Sequence, residues 1–457
     1  MNRQIRYNSP SLSNICNEIL MKKTLLKNLH VINPCSDPAF IENAFVAISG
    51  ETIESVDSSE PSGTFDEVFD LDGKVALPGM INAHHHLYSA LAVGMPLPKG
   101  NPTNFTEILQ EVWWKMDLAL DRDSTQACFE SGLLDSLKAG TTTFIDHHCS
   151  PSFIEGSLSL LAETGEKFGL NSSVAFEITD RNGTEKFEAS LQENINAVRK
   201  FSDHPNVHPL IGLHASFTLS EDSLRKIRTA LDSLKSWGIH IHVSEDKADE
   251  EDALKKGYGS VLERLDKFDL LNENALIIHG LHIKDSDVDL LQKHKAQIVH
   301  NPSSNANNRV GMSSNNTINQ LKSGLGTDGM QGSMLREGKE GMLIRSSHLD
   351  GGEDSANYLQ LLFENNPKIA SKLFGKKLGY ILPEYQADLA IFDYAPRTPI
   401  SDATIFGHVF FGLSGLPCDV MTRGEFRIRD YQLQNFSEQE IKANAVTQAK
   451  KLWVHFS

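Results

Sequence analysis

The chain has 457 residues, is 40% hydrophobic and 23% charged, and carries a formal charge of −17 at pH 7. This is ordinary soluble composition, at a length that suggests about two to three domains or one barrel-sized domain with an appendage. The acidic balance argues against nucleic acid as the main partner, because no basic excess is available to neutralise phosphates, and no apolar run approaches a membrane span. The five cysteines, Cys16, Cys35, Cys128, Cys149 and Cys418, form no CxxC pair. Their odd number and scatter fit a reducing compartment and no disulfide framework, so the expected location is the cytoplasm.

The opening MNRQIRYNSPSLSNICNEIL lacks the apolar core and cleavage site of a secretory signal. Residues 1–20 read as a disordered extension or an over-extended start. From Thr24 to about Asp70, TLLKNLHVIN, AFVAISG and GETIESV read as short strands of a small β-unit. From Val75 the rhythm changes to apolar runs separated by amphipathic stretches, the alternation of a parallel barrel. Eight runs follow in order: GMINAHHH, TTTFIDHH, NSSVAFEI, VHPLIGLHAS, IHIHVSE, ALIIHG, AQIVHNP and SGLGTDG. Eight is the number that closes a (β/α)8 barrel. Intervening segments such as DSTQACFESGLLDSLKAG and SLRKIRTALDSLKSWG read as helices that end at glycine. After Leu378, YQADLAIFDY and CDVMTRGEFRIRDYQL return to strand character with a turn at Gly424 and Glu425, and SEQEIKANAVTQAKKLWVHF reads as a terminal helix. The expected organisation is a TIM-like barrel over residues 79–378. A composite β-sandwich domain with a terminal helix, from 21–78 and 379–457, would lie outside it.

Catalytic groups of a parallel barrel sit at the C-terminal strand ends. Nearly every run here ends in a polar, metal-capable residue: His84 and His86; Asp146, His147 and His148; Glu177, with Asp180 beyond; His214; His242 and Glu245; His279; His300 and Asn301; Asp328. Side chains alternate along a strand, so His84 and His86 point one way and His85 the other. A lone strand-end histidine is most often a satisfied polar ring. Two in phase, with His242, His279 and Asp328 at other strand ends, favour a metal. The N/O donor set suits zinc or ferrous iron and has none of the thiolates common in structural zinc sites.

PGMINAHHH, HVSE, IIHG and GLGTDG, in this order, resemble the amidohydrolase superfamily. They are closest to its mononuclear branch of guanine, cytosine and adenosine-type deaminases and triazine hydrolases. The likeness runs from about Thr24 to the terminal helix and includes ADLAIFD of the outer β-domain. The fuller strings INAHHHLYSAL, HASFTLS and HIHVSED look most similar to aminohydrolases of the SsnA type, associated with purine-related metabolism. The resemblance implies His84, His86, His242 and Asp328 as metal ligands, Glu245 as proton shuttle, His279 near the water, and His214 as a substrate contact. Binuclear members bridge two metals with a carboxylated lysine on the fourth strand. VHPLIGLHAS has no lysine, so one divalent metal per chain is expected. Two departures stand out: LGYILPEYQADLA lacks the glycine that often precedes ADL, and QGSMLREGKEGM after Asp328 is rich in glycine and charge.

Such a site supports metal-activated hydroxide attack on an amidine-like carbon, with Glu245 taking the water proton and returning one to the leaving amine, and Asp328 assisting. The expected function is deamination of a purine-like nitrogen heterocycle. A cyclic amidase that opens a ring is the runner-up; a catalytically silent scaffold barrel is a distant third. Tyr88 and Trp114 are candidate platforms for the ring, although both also read as packing residues along with Trp113. DHHCSP, with His147, His148 and Cys149, reads as pocket wall. Homo-oligomer formation is left open by the sequence.

Overall fold

In the computed structural model, residues 21–96, 102–347, 357–413 and 415–456 are described. The expected extension at 1–20 lies outside them. Lys23–Ile32 buries its apolar side chains and pairs antiparallel with Phe40–Ser49, which pairs in turn with Thr52–Asp57. Lys23–Ile32 also runs parallel to Glu67–Asp70 and Val75–Pro78. Val75–Pro78 then meets the distant strand Leu389–Phe392 antiparallel, with Ala390 opposite Leu77. Asp419–Thr422, Glu425–Arg429 and Gln432–Leu433 continue the same nine-stranded sheet. The two ends of the chain therefore share one sheet and one core, in which Leu26, Val31 and Ile48 pack with Leu389, Ile391 and Met421. Arg423 and Gly424 both have positive φ, 51° and 73°, the two-residue hairpin geometry that matches strand twist.

The parallel strands are Met80–His85, Thr141–Asp146, Asn171–Val174, a fourth in two pieces (Val207–Pro209 and Ile211–Ala215), Ile239–Val243, Leu276–His279, Gln297–His300 and Gly324–Leu325. Every residue of the first three is buried, as expected of strands covered on both faces. The fourth is split because its first piece pairs with the third strand and its second with the fifth. Bridges between Ile178 and Leu213 and between His85 and Asp328 link the two halves, so the eight strands run round in a ring. Ala83, Ile145, Ala175, Leu210, Leu276, Ile278 and Val299 fill its interior. This is the TIM-like barrel expected from the sequence.

Two helical details depart from expectation. The helix Arg122–Lys138 ends just before Gly140, which has a φ of 84°. The helix Glu221–Leu231, by contrast, stops well before Gly238. Gly238 serves a close approach instead: a Cβ there would sit 2.2 Å from the Asn274 carbonyl oxygen. The terminal helix Glu438–Trp453 packs on barrel helix Arg122–Lys138 through the Lys138–Glu438 ion pair at 2.7 Å, not on the outer sheet alone. Trp453 Nε1 also donates to the Leu91 carbonyl at 2.9 Å. Among the described residues, no helix is long and apolar enough to cross a membrane.

Candidate metal centre and catalytic pocket

The barrel brings His84 and His86 together with His242 and Asp328, buried, with one donor atom of each within 4.8 Å of all the others. Three residue pairs measure this centre: His84 Nε2 to Asp328 Oδ1 3.3 Å, His86 Nε2 to Asp328 Oδ1 3.0 Å, and His86 Nε2 to His242 Nε2 3.1 Å. Ligands at zinc bond lengths of about 2.0–2.2 Å in a tetrahedron have edges of about 3.3 Å, so the spacing fits a small cation.

The other nitrogen of each ring is taken. His86 Nδ1 lies 2.5 Å from the His147 carbonyl oxygen and His242 Nδ1 2.7 Å from that of His214. Each Nδ1–H therefore donates outward, and two bare Nε2 lone pairs face each other across 3.1 Å. A cation between them turns that repulsion into coordination, which is the chemical test that this donor set passes. His85 is not in the group. Its Nδ1 lies 2.8 Å from the Asp328 carbonyl oxygen and 3.1 Å from Thr327 Oγ1, tying the first strand to the eighth.

Beside the centre, Glu245, His279 and Asp328 form a second cluster. Glu245 Oε2 is 3.3 Å from His279 Nε2, and Asn308 Nδ2 donates to Glu245 Oε1 at 3.3 Å. Burial, followed by the negative charge of Asp328, pushes the Glu245 carboxyl well above its ordinary range. Asp328 goes the other way: burial opposes its charge, but the His84 and His86 imidazoles against its carboxylate outweigh burial and hold it well below the usual carboxylate range. Two neighbouring carboxyls are thus driven apart, the pattern expected of an acid/base group beside a ligand. His279 Nδ1 lies 2.8 Å from Asn305 Oδ1, which accepts, so the ring proton sits on Nδ1 and Nε2 faces Glu245.

Three strand ends at this site adopt left-handed backbone without glycine: Ser244 at φ 51°, His279 at 72° and Asp328 at 55°. Such residues cost about 1–3 kcal/mol each and persist where surrounding contacts over-determine them. Asp249 provides one such constraint, accepting from Ser244 N at 2.9 Å and from Phe217 N at 3.1 Å. It fixes the turn that carries Glu245 to the loop after His214.

A cavity of about 260 Å³ opens over both clusters. His86, His242, Glu245 and Asp328 form its floor; His214, Tyr88 and Trp114 line it, with Phe105, Trp113 and Phe217. Burial, then Arg181, push His214 down to about 3, so its ring is neutral at pH 7. On the far wall the indole nitrogen of Trp114 and Oδ1 of Asp117 are buried without a protein partner. Behind that wall Arg181 places its guanidinium 4.8 Å over the Trp114 ring, 3.2 Å from Glu177 Oε2 and 3.7 Å from Asp117 Oδ2. Burial pushes the Asp117 carboxyl up to about 7 against the pull of Arg181.

Sequence reasoning missed Asp117, Arg181, Asp249 and Asn308. Both acids lie on helices after the strands, Asp249 in the charged run EDKADEED and Asp117 in the largely apolar WWKMDLAL. Arg181 sits in the turn ITDRNG, one residue beyond the Asp180 that was noted. Asp180 is no ligand: its carboxylate accepts from Ser220 N and Ser223 Oγ at 2.7 Å each. His147, His148 and Cys149 do not line the cavity but lie fully buried behind it, which corrects their reading as wall. His148 bonds Ser150 Oγ at 2.7 Å and packs on Phe129 and Phe176. Asp146 accepts from Leu87 N at 2.7 Å.

Replacing Arg181 by Met is expected to leave Glu177 and Asp117 without their shared counter-charge. Breaking a buried pair in this way costs about 3–5 kcal/mol. Denaturant unfolding reads this directly, and an unchanged midpoint would mean that the two carboxyls find other partners.

Known proteins agree with the fold. The model of the Amidohydrolase family matches residues 75–424. A 5-methylthioadenosine/S-adenosylhomocysteine deaminase of Syntrophomonas wolfei is 25% identical, covering 94% of this chain and 99% of that one. A 5'-deoxyadenosine deaminase of Methanothermobacter thermautotrophicus is 26% identical, covering 91% and 96%. Among solved structures, an adenosine deaminase from Xanthomonas campestris with bound zinc superposes with a TM-score of 0.79 at 18% identity, covering 94% of this chain and 98% of that one. With its barrel, its outer sheet and a family match across most of its length, the chain belongs to the amidohydrolase family.

Proposed function

We propose that this protein is a metal-dependent aminohydrolase that removes an amino group from a purine-like heterocycle, with one divalent metal per chain, zinc favoured. The observation that carries the reading is the placement of Glu245, its carboxyl raised by burial, between the His84/His86/His242/Asp328 centre and an aromatic-walled cavity. The deaminase names of the relatives in the comparison supply the substrate class. One metal is favoured because a second candidate group, His86, His147, Glu177 and His242, reuses two of the same rings. Its carboxylate already faces Arg181 at 3.2 Å. Strand four carries no lysine that could bridge two ions.

A divalent cation held by His84, His86, His242 and Asp328 would lower the pKa of a water and so supply hydroxide near neutral pH. This chain's residues do the rest. Glu245 takes the water proton and delivers one to the leaving amine; a carboxyl with a raised pKa suits both transfers. Neutral His279, with a bare Nε2, accepts a hydrogen bond from the attacking oxygen, and Asp328 orients that oxygen from the other side. His214 meets the edge of the ring, while Tyr88 and Trp114 cover it. At about 260 Å³ the cavity is just below the roughly 300–1,000 Å³ of typical ligand pockets. It suits a bicyclic ring with a modest substituent. The four described cysteines are free, in keeping with a cytoplasmic enzyme.

Zinc-loaded protein should release ammonia from an aminopurine or its nucleoside and leave the ring intact. Elemental analysis of active preparations should give one metal per chain. Ring opening without ammonia would favour the cyclic amidase, and activity that tracks a second bound metal would overturn the mononuclear reading.

A further inference from the structure

The fifth strand, IHIHV, carries a second HxH pair. His242 takes its place at the metal centre, and His240, two residues earlier on the same face of the strand, is wholly buried and is not among the residues that line the cavity over it. Its Nε2 lies 2.9 Å from Nδ1 of His84, with the ring centroids 5.0 Å apart and the planes 73° from parallel. His86 and His242 lean on backbone carbonyls, which only accept and so fix the ring proton on Nδ1 by themselves. His84 leans on a side chain that can donate or accept. The tautomer of His84 is therefore set by the tautomer of its neighbour.

We propose that His240 is a positioning residue that accepts from Nδ1–H of His84, holds the ring tilt of His84 and leaves its Nε2 lone pair free for the metal. The inference rests on the metal-centre reading above. His84 Nε2 is buried with no hydrogen-bond partner and points at Asp328 Oδ1, 3.3 Å away. A bare Nε2 there requires the proton on Nδ1, hence a bare Nε2 on His240 and a proton on Nδ1 of His240, a buried nitrogen with no hydrogen-bond partner among the described residues. His240 cannot swing away. The His147 ring packs 4.5 Å from it, and His147 Nε2 lies 3.0 Å from the His240 carbonyl oxygen. The same His147 offers its own carbonyl to His86. Two of the three ligand rings are thus set by one buried pair of histidines behind the centre. Partners that orient metal-bound histidines typically matter by about 10–100-fold in metal affinity.

Zinc affinity, measured by competition with a chromogenic chelator, tests this without recourse to activity. His240→Phe keeps a ring and removes the acceptor; it should bind zinc about 10–100-fold more weakly than wild type. His240→Gln places an amide oxygen near the former Nε2 and should recover most of that loss. The visible spectrum of the cobalt-loaded protein should shift in His240→Phe and return toward wild type in His240→Gln. If the phenyl ring prevents folding, as judged by circular dichroism, His240→Met serves as the variant without an acceptor at similar volume. Wild-type affinity in the folded variant lacking the acceptor, or equal weakening in it and His240→Gln, would overturn the inference. Wild-type protein that binds no zinc would instead sink the metal-centre reading itself.

Discussion

Glu245→Gln is expected to keep its metal and lose at least about a hundred-fold in turnover, the typical contribution of one proton-transferring group. The amide preserves the local contacts. Its oxygen can still accept from Asn308 Nδ2, now 3.3 Å from Oε1, and its NH2 can donate to the bare Nε2 of His279, 3.3 Å from Oε2. Folding and substrate affinity should change little, because the loss falls on the transition state. What the amide cannot do is take the water proton or hand one to the leaving amine. Asp328→Asn provides the contrast. Asp328 Oδ1 faces His84 and His86 at 3.3 and 3.0 Å, so this change should weaken metal binding as well as rate. Metal content and steady-state kinetics on the two variants separate the roles. Metal loss in Glu245→Gln would make Glu245 a ligand, and near-normal turnover with full metal would leave the proton transfer to His279 or Asp328.

His86→Ala is expected to lose most of its metal and with it nearly all activity, whereas His85→Ala should keep its metal close to wild type. Adjacent residues diverge because the strand turns successive side chains to opposite sides. His86 Nε2 is within 3.1 Å of both Asp328 Oδ1 and His242 Nε2. The His85 ring instead bonds the Asp328 carbonyl and Thr327 Oγ1. His85→Ala should therefore show its effect in stability. It removes the ring's hydrogen bonds at the join between the first and eighth strands, where the Asp328 carbonyl still accepts from His86 N at 3.2 Å, a loss of about 0.5–1.5 kcal/mol per bond. Elemental analysis and thermal unfolding on both variants make the test. An empty site in His85→Ala, beside a full one in His86→Ala, would put the strand phase off by one residue.

Strand order, barrel class and the residues of the metal centre were legible in the sequence because they rest on local rules. Apolar runs covered on both faces announce parallel strands, and the alternation of side chains separates His85 from His84 and His86. The position of active residues at strand ends follows from the barrel itself, so His242, His279 and Asp328 could be named without seeing them meet, whereas Glu245, in the charged run EDKADEED, was named through the family resemblance. What lies behind and above the centre was not legible. Asp117 sits in WWKMDLALD, where nothing in the spacing marks it, and Asp249 in EDKADEED, where a carboxylate reads as a solvated face. Only the tertiary fold turns the first toward Arg181 and ties the second to the backbone of Ser244 and Phe217. His147 was visible as a strand-end histidine, yet its burial behind the cavity and its bond to the His240 carbonyl depend on two strands that lie 93 positions apart in sequence. The sequence by itself determined which metal-capable and titratable groups fall at the strand ends, because residue type and strand phase are local properties. The tertiary structure alone decided which other polar groups are desolvated against them. Burial and pairing, which set charge, tautomer and pKa, are properties of the packed molecule and not of any stretch of chain.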